Sequence, residues 1–389
     1  MNIRDWEKEK EYLYFLQKVM GFARETVRKL VEYYGSAENV CEKSFEEIKE
    51  RLGRLSEERK KIIRRSWNKE CFEQVREEYR REVRGRMEYL PWYHPDYPHK
   101  LRQIPDAPCA LFYRGKLPDE KKPALAIIGS RGCSVYGSGA AGWFGEEMAK
   151  NGVQVISGLA RGIDSIAQKA ALDAGGTSFG ILGCGADVCY PRENQIIYDQ
   201  CIKNGGILSE YFPHTQPDGK LFPPRNRIIS GLSDAVLVVE ARKRSGTLIT
   251  VDMALDQGRD VFMLPGRVTD KLSEGCNKMI SQGAEMALSP EDLLEKLYGI
   301  RKKQEENREE AENEEDATPD LLSVLDLQPK SLERLFEELN TLRFAQGKEP
   351  VSSVMEVGAM LMEACLSGTA VQLPGGFYRL DDRLFGRGK

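Results

Sequence analysis

The residues best suited to chemistry are short clusters of Gly, Ser, Thr and Arg between positions 129 and 247. Gly129-Ser130-Arg131, Ser157-Gly158-Leu159-Ala160-Arg161-Gly162 and Ser245-Gly246-Thr247 each offer hydroxyls beside closely spaced backbone N–H groups. Such groups bind anions, because glycine lets the backbone approach and a following helix adds its positive end. Phe222-Pro223-Pro224-Arg225-Asn226-Arg227 adds two guanidiniums on a stiff turn. One phosphate needs one such loop. Several loops predict a run of phosphates, as in the backbone of a single-stranded nucleic acid. Tyr190, Tyr211 and Phe222 in the same region are candidates to stack bases, against an ordinary packing role.

Other chemistries find little support. There are only three histidines, His94, His99 and His214, and of these only His214 lies near the clusters. No HExxH and no GxxxxGK[ST] occurs, so neither a zincin nor a P-loop NTPase is indicated. Nine scattered cysteines read as free thiols of a reducing compartment. Cys184 and Cys189 are close in sequence, but no second pair or nearby His completes a zinc set, so no metal is expected. Gly137, Gly139 and Gly142 fit G-x-G-x-x-G but begin eight residues after Gly129. A dinucleotide fingerprint follows its strand directly. These glycines are expected to pack a helix on a sheet, and no cofactor is expected.

The clusters need a scaffold that brings them together. ALAIIG (124–129), VQVISG (153–158), TSFGILG (177–183), GGILSEY (205–211), DAVLVVEA (234–241) and DVFMLPG (260–266) are short and apolar. Each is followed by a Gly/Ser/basic loop and a helical run. This is the pattern of a doubly wound α/β domain with a mainly parallel sheet. Every strand of such a sheet ends at one edge, so all the clusters share one surface. The loops of that edge hold eleven basic and six acidic residues, while the rest of 124–290 holds five and eleven.

Residues 1–86 read as an N-terminal helical domain, with Tyr12, Phe15, Leu16 and Val19 and then Val27, Leu30, Val31 and Tyr34 at helical spacing. The turn Met20-Gly21-Phe22-Ala23 resembles a helix-hairpin-helix, with Ala23 where a second glycine usually stands. Packing or partner docking is the expected role. Residues 87–300 comprise a Pro-rich connector that packs on the α/β domain, and that domain itself. Residues 301–320 are a charged linker with four basic and nine acidic residues. In 321–389, Leu332, Leu335, Phe336 and Leu339, then Val354, Val357, Met360 and Leu361, precede two short strands about Pro374-Gly375-Gly376. Helices before a terminal hairpin look like a winged helix.

The whole chain of 389 residues has a net charge of -4, which argues mildly against a nucleic-acid partner. Removing the linker's surplus of acid reverses the sign. No apolar run approaches a membrane span, and the N-terminus lacks the apolar core of a secretory signal, so a cytoplasmic location is expected.

Residues 126–290 resemble the DNA processing protein A family, DprA or Smf. The resemblance runs through GSRGCSVYG, SGLARGIDSIA, GILGCGADVCYPREN, ILSEY, FPPRNRIISGLSDAVLVVEA, SGTLIT, GRDVFMLPG and GCNKMISQGAE. The preceding YPHKLRQIPDAPCALFYRG is similar too. The resemblance implies an extended Rossmann-like, doubly wound domain without enzymatic activity. This domain is flanked by an N-terminal helical (helix-hairpin-helix or SAM-like) domain and a C-terminal winged-helix-like domain. It implies binding of single-stranded DNA, loading of RecA in natural transformation (competence) or related recombination, and a homodimer formed through the α/β domain. Phosphate contacts carry over onto Ser130, Arg131, Ser157, Gly158, Arg161, Gly162, Arg225, Arg227, Ser245, Gly246 and Thr247, with Arg192 and Lys220 as further candidates by charge. Ala167-Gln168 stands where the family often has Ala-His.

Two other readings compete. One is a nucleotide hydrolase resembling the lysine-decarboxylase-like phosphoribohydrolases, whose PGGxGTxxE run supplies a Glu. Here Arg244-Ser245-Gly246-Thr247-Leu248-Ile249-Thr250 has no such carboxylate, and Asp252 stands at an unsuitable offset. The other is a scaffold whose basic edge binds an acidic protein.

Overall fold

The computed structural model describes residues 5–21, 24–53, 55–299, 318–326 and 328–381. The putting-together of the chain begins with helices Trp6–Met20, Arg24–Tyr34, Ala37–Cys41, Phe45–Lys49, Glu57–Ser66 and Lys69–Glu82. Ser, Asp or Asn caps start five of them by accepting first-turn N–H groups, as at Asp5, Ser36, Ser44, Ser56 and Asn68. Phe22 and Ala23 of the hairpin-like turn lie outside the described residues.

The α/β domain holds a nine-stranded sheet. Its strands are β1 (Glu88–Pro91), β2 (Ala110–Gly115), β3 (Ala124–Ile128), β4 (Gln154–Ser157), β5 (Ser178–Ile181), β6 (Gly205–Ser209), β7 (Ala235–Val238), β8 (Asp260–Met263) and β9 (Glu285–Met286). The order is β1-β2-β6-β5-β4-β3-β7-β8-β9. All pairs from β6 to β9 are parallel, whereas β1–β2 and β2–β6 are antiparallel. The six strands read from the sequence are present. The Pro-rich connector contributes β1 and β2, which their short, proline-flanked runs did not announce. The two-residue β9 was missed for the same reason.

Apolar runs form these strands because both faces are covered. Ala124, Ala126 and Ile128 join one core, while Leu125 and Ile127 join the other. The second core packs the sheet on Val135–Lys150, Ile163–Asp173 and Pro290–Tyr298. The first core is continuous with the N-terminal helices: Tyr14 meets Phe112 and Phe212 edge-on, at ring separations of 6.1 and 5.1 Å. The expected boundary at residue 86 is therefore a change of architecture inside one core.

Gly137, Gly139 and Gly142 lie inside Val135–Lys150, as the late start of their motif predicted. Residues 301–317 of the expected linker lie outside the described residues, and a helix already runs over Thr318–Val324. Beyond it come β10 (Lys330–Ser331), helices Leu332–Ala345 and Val354–Leu366, and the hairpin β11 (Ala370–Leu373) and β12 (Phe377–Leu380). These three strands form their own sheet in the order β10-β12-β11, over a separate small core. No described helix is long and apolar enough to cross a membrane.

Candidate nucleic-acid interface

The strand order reverses between β3 and β7: β4, β5 and β6 lie on one side of β3, and β7, β8 and β9 on the other. Chains leaving adjacent strands in opposite directions open a crevice at the strands' C-terminal ends. A groove of about 750 Å³ lies there. The loop after β3 supplies Gly129, Ser130, Arg131 and Gly132, and the loop after β7 supplies Arg242, Arg244, Ser245, Gly246 and Thr247. Tyr190, Phe222, Arg225 and Asn226 form further walls.

Helix Gly246–Asp256 starts in this groove. Ser245 caps it by accepting the Thr247 N–H at 3.2 Å, and the Thr247 hydroxyl donates to the Gly129 carbonyl at 3.2 Å, joining the β3 and β7 loops. Gly246 is exposed, leaving the amide end of the helix open to an anion. Arg131, Arg242 and Arg244 are exposed and, among the described residues, form no ion pair. Their charge is available to a ligand.

The aromatic wall is a stacked pair. Tyr190 and Phe222 lie 5.6 Å apart with planes 29° apart, and the Arg131 guanidinium sits 5.5 Å from the Phe222 ring centre. Tyr190 is 40% exposed and so presents a face to a planar ligand. An adjoining recess is lined by Arg131, Gly158, Arg161, Tyr190, Phe222 and Arg225.

Residues 88–298 match the family model of DNA recombination-mediator protein A. The chain belongs to this family. Protein Smf of Escherichia coli (strain K12) is 40% identical over 286 residues, covering 73% of this chain and 75% of its own. DNA processing protein DprA of Streptococcus pneumoniae is 44% identical over 198 residues, 51% of this chain and 70% of its own. The X-ray structure of DNA processing protein A from the latter organism aligns with a TM-score of 0.64 at 35% identity, covering 76% of this chain and 99% of that one.

The residues that DprA/Smf resemblance pointed to fall into three groups. Ser130, Arg131, Arg225, Ser245, Gly246 and Thr247 line the groove, and Gly158 and Arg161 line the adjoining recess. Arg192 and Lys220 are exposed but line neither. Ser157 and Arg227 are buried behind the surface, and Gly162 is half-buried and lines neither. The Ser157 hydroxyl donates to the Ile127 carbonyl at 2.6 Å, bracing β4 on β3. Gly162, at φ 72°, opens helix Ile163–Asp173 where a Cβ would lie 2.3 Å from the Ser130 carbonyl oxygen.

Arg227 points away from the groove. It is 5% exposed and pairs with Glu210 through both Nη atoms at 2.9 Å, while Arg24 of the N-terminal helices reaches Glu210 and Asp106. A helix turns 100° per residue, so Arg225 and Arg227 stand on opposite faces of Phe222–Leu232. Tyr211 also faces inward, 1% exposed, with its hydroxyl donating to the Leu221 carbonyl at 3.0 Å. It is no stacking platform.

Arg242 and Arg244 are two of the eleven basic residues of the loop edge. Their sequence signal was charge immediately before a Ser-Gly-Thr helix start, and the strand reversal makes them a wall of the groove. His214 is no acid–base group of this groove: its ring bridges Glu82 at 2.7 Å and Asp187 at 2.6 Å, tying the N-terminal helices to the domain. Among the described residues no group of three or more His, Cys, Asp or Glu could hold a metal.

Proposed function

We propose that the groove binds the backbone of single-stranded DNA and that the protein, as a recombination mediator, delivers a RecA recombinase onto that strand. The observation that carries this reading is the exposed trio Arg131, Arg242 and Arg244 around an open helix start at the β3/β7 reversal. Cations set along an open groove suit consecutive phosphates, and the Tyr190–Phe222 pair suits an unpaired base. Binding alone accounts for the groups present, so no catalytic step is assigned. Asp252, weighed for nucleotide hydrolysis, lies on the surface outside the groove, and the nearby carboxylate of Glu240 is 2% exposed and holds the Ser134 N–H and hydroxyl.

The test is a titration of labelled single-stranded and duplex oligonucleotides over salt, repeated with RecA present. Single-strand affinity should fall steeply with salt, by about 0.7 in log-log slope per phosphate contacted. RecA filaments should assemble faster on strands carrying the protein. Salt-independent or absent binding would overturn the groove's role, and unchanged RecA assembly would overturn the mediator role.

The reading includes a homodimer formed through the α/β domain. The short edge strand β9 exposes Met286 (43%), Leu288 follows at 63%, and Leu255 beside it reaches 54%. An open sheet edge with apolar neighbours suits a second copy. A monomer by light scattering at micromolar concentration would count against this part.

A further inference from the structure

Arg225 lines the groove, yet it is only 4% exposed. Its Nη1 donates to the Gly158 carbonyl at 2.8 Å and also to the Ile181 carbonyl. Those carbonyls stand at the C-terminal ends of neighbouring strands, Gly158 just after β4 and Ile181 closing β5. Asp164 works from the other side, its Oδ2 accepting the Gly158 N–H at 3.0 Å. The Gly158 peptide is therefore gripped at both ends. A Cβ there would lie 2.7 Å from both Asp164 Oδ2 and Arg225 Nη2, so only glycine leaves the two charges this close.

The positive and negative groups offset each other inside the protein. Burial pulls the Arg225 pKa down to about 10, with Asp164 opposing the fall, so the guanidinium stays charged at neutral pH. The same guanidinium lies 6.0 Å from the Phe222 ring centre, on the ring that Arg131 also approaches. Arg225 thus touches the Gly158 loop, the end of β5 and the aromatic wall at once. The planar guanidinium does this from one side chain, with Nη1 serving both carbonyls and the group lying over the ring, a shape that a compact ammonium does not reproduce.

We propose that Arg225 is a positioning residue for strand binding: it fixes the Gly158 loop and the Phe222 wall beneath Arg131 and makes no phosphate contact of its own. The inference rests on reading the groove as the single-strand site, and its test separates the two. Anisotropy of a labelled oligothymidylate with the full chain, measured across salt, compares Arg131→Ala, Arg225→Gln, Arg225→Lys and Leu293→Ala. Loss of a true phosphate contact in Arg131→Ala flattens the log-log salt slope by about 0.7. Arg225→Gln weakens binding about tenfold at every salt and keeps the parental slope. Arg225→Lys keeps the charge but not the fork, and does not restore affinity. Leu293→Ala, a fully buried truncation in the core on the other face of the sheet, lowers the melting temperature and leaves affinity unchanged, which distinguishes positioning from general stability.

A flattened slope in Arg225→Gln, rescue by Arg225→Lys, or parental affinity in folded Arg225→Gln overturns the proposal. Should Arg225→Gln not fold, Asp164→Asn decides: a direct contact released from its buried carboxylate would bind tighter with a steeper slope, whereas a positioning residue gives neither. If Arg131→Ala changes neither affinity nor slope, the groove itself is misassigned.

Discussion

At the scale of single residues, cations of one loop edge differ in what their charge can reach. Arg131, Arg242 and Arg244 face the groove with no ion pair among the described residues, whereas Arg161 meets Glu193 through two of its nitrogens, one of them at 2.9 Å. Both partners are more than half exposed, so solvent screens the pair and a phosphate can replace the carboxylate. Glu193 is then a local competitor for the strand. Glu193→Gln is expected to tighten single-strand binding roughly twofold and steepen its salt dependence, as read by anisotropy. Unchanged or weaker binding would remove Arg161 from the contact set. Helix phase divides two further arginines: Arg225 and Arg227, both buried and two positions apart, reach opposite faces of one helix.

At the scale of elements, the groove depends on how its helices begin. Ser134 caps Val135–Lys150 by accepting the Gly137 N–H at 3.0 Å, and Glu240, after β7, accepts the Ser134 N–H at 2.9 Å and its hydroxyl. One carboxylate thus joins the β3 and β7 sides of the crevice. Glu240→Ala should destabilise the fold by about 1–3 kcal/mol, because the half-buried Ser134 N–H and hydroxyl lose their buried acceptor. Denaturant unfolding checks this, and a loss below 0.5 kcal/mol would contradict it as an estimate of an unsatisfied buried group.

The C-terminal helices show how shape and charge can part. Val354–Leu366 follows two helices and precedes a hairpin, but it contains Glu356 and Glu363 and no Lys or Arg. Met355, Met362 and Leu366 are 84%, 70% and 90% exposed along it. Lys330, Arg334, Arg343 and Lys348 are each held by Asp or Glu of the same unit. Helix faces that grip nucleic acid need cations for the phosphates. Replacing Met362 and Leu366 by Ser should therefore leave DNA affinity and its salt slope at parental values. A weakening of threefold or more, roughly 0.6 kcal/mol, would put this helix on the DNA.

At the scale of the molecule, charged links fasten the N-terminal helices to the α/β domain. Arg24 and Arg227 share Glu210 and Asp106, and His214 bridges Glu82 and Asp187. The hydrogen bond to Glu82 raises the His214 pKa above its ordinary 6.5, with Asp187 adding and burial and Arg86 opposing. Its contribution is complete below the ordinary value and fades as pH rises through the folded one. Glu82 is held at about 2 by hydrogen bonds from His214 and Arg81, so its contribution stands above pH 4.5 and fades as pH falls toward 2. The link is therefore strongest between about pH 4.5 and 6.5. The melting temperature lost in His214→Ala should be largest near pH 5.5 and shrink as pH rises above 6.5 through the raised His214 pKa. A loss that grows toward pH 8 would contradict this.

The amino-acid sequence by itself determined the six main parallel strands, the family and the sign of the loop edge, because apolar runs and Gly/Ser/Arg loops are local signals. It also located Ser130, Arg131 and Ser245-Gly246-Thr247, since loops after parallel strands must share one edge. Only the tertiary structure decided which arginines face solvent. That choice depends on helix phase and on partners such as Glu210 and Asp106, which Arg227 shares with Arg24 from far earlier in the chain. Likewise Arg242 and Arg244 gained their place from the reversal of strand order between β3 and β7, a fact of packing that no local run of residues encodes.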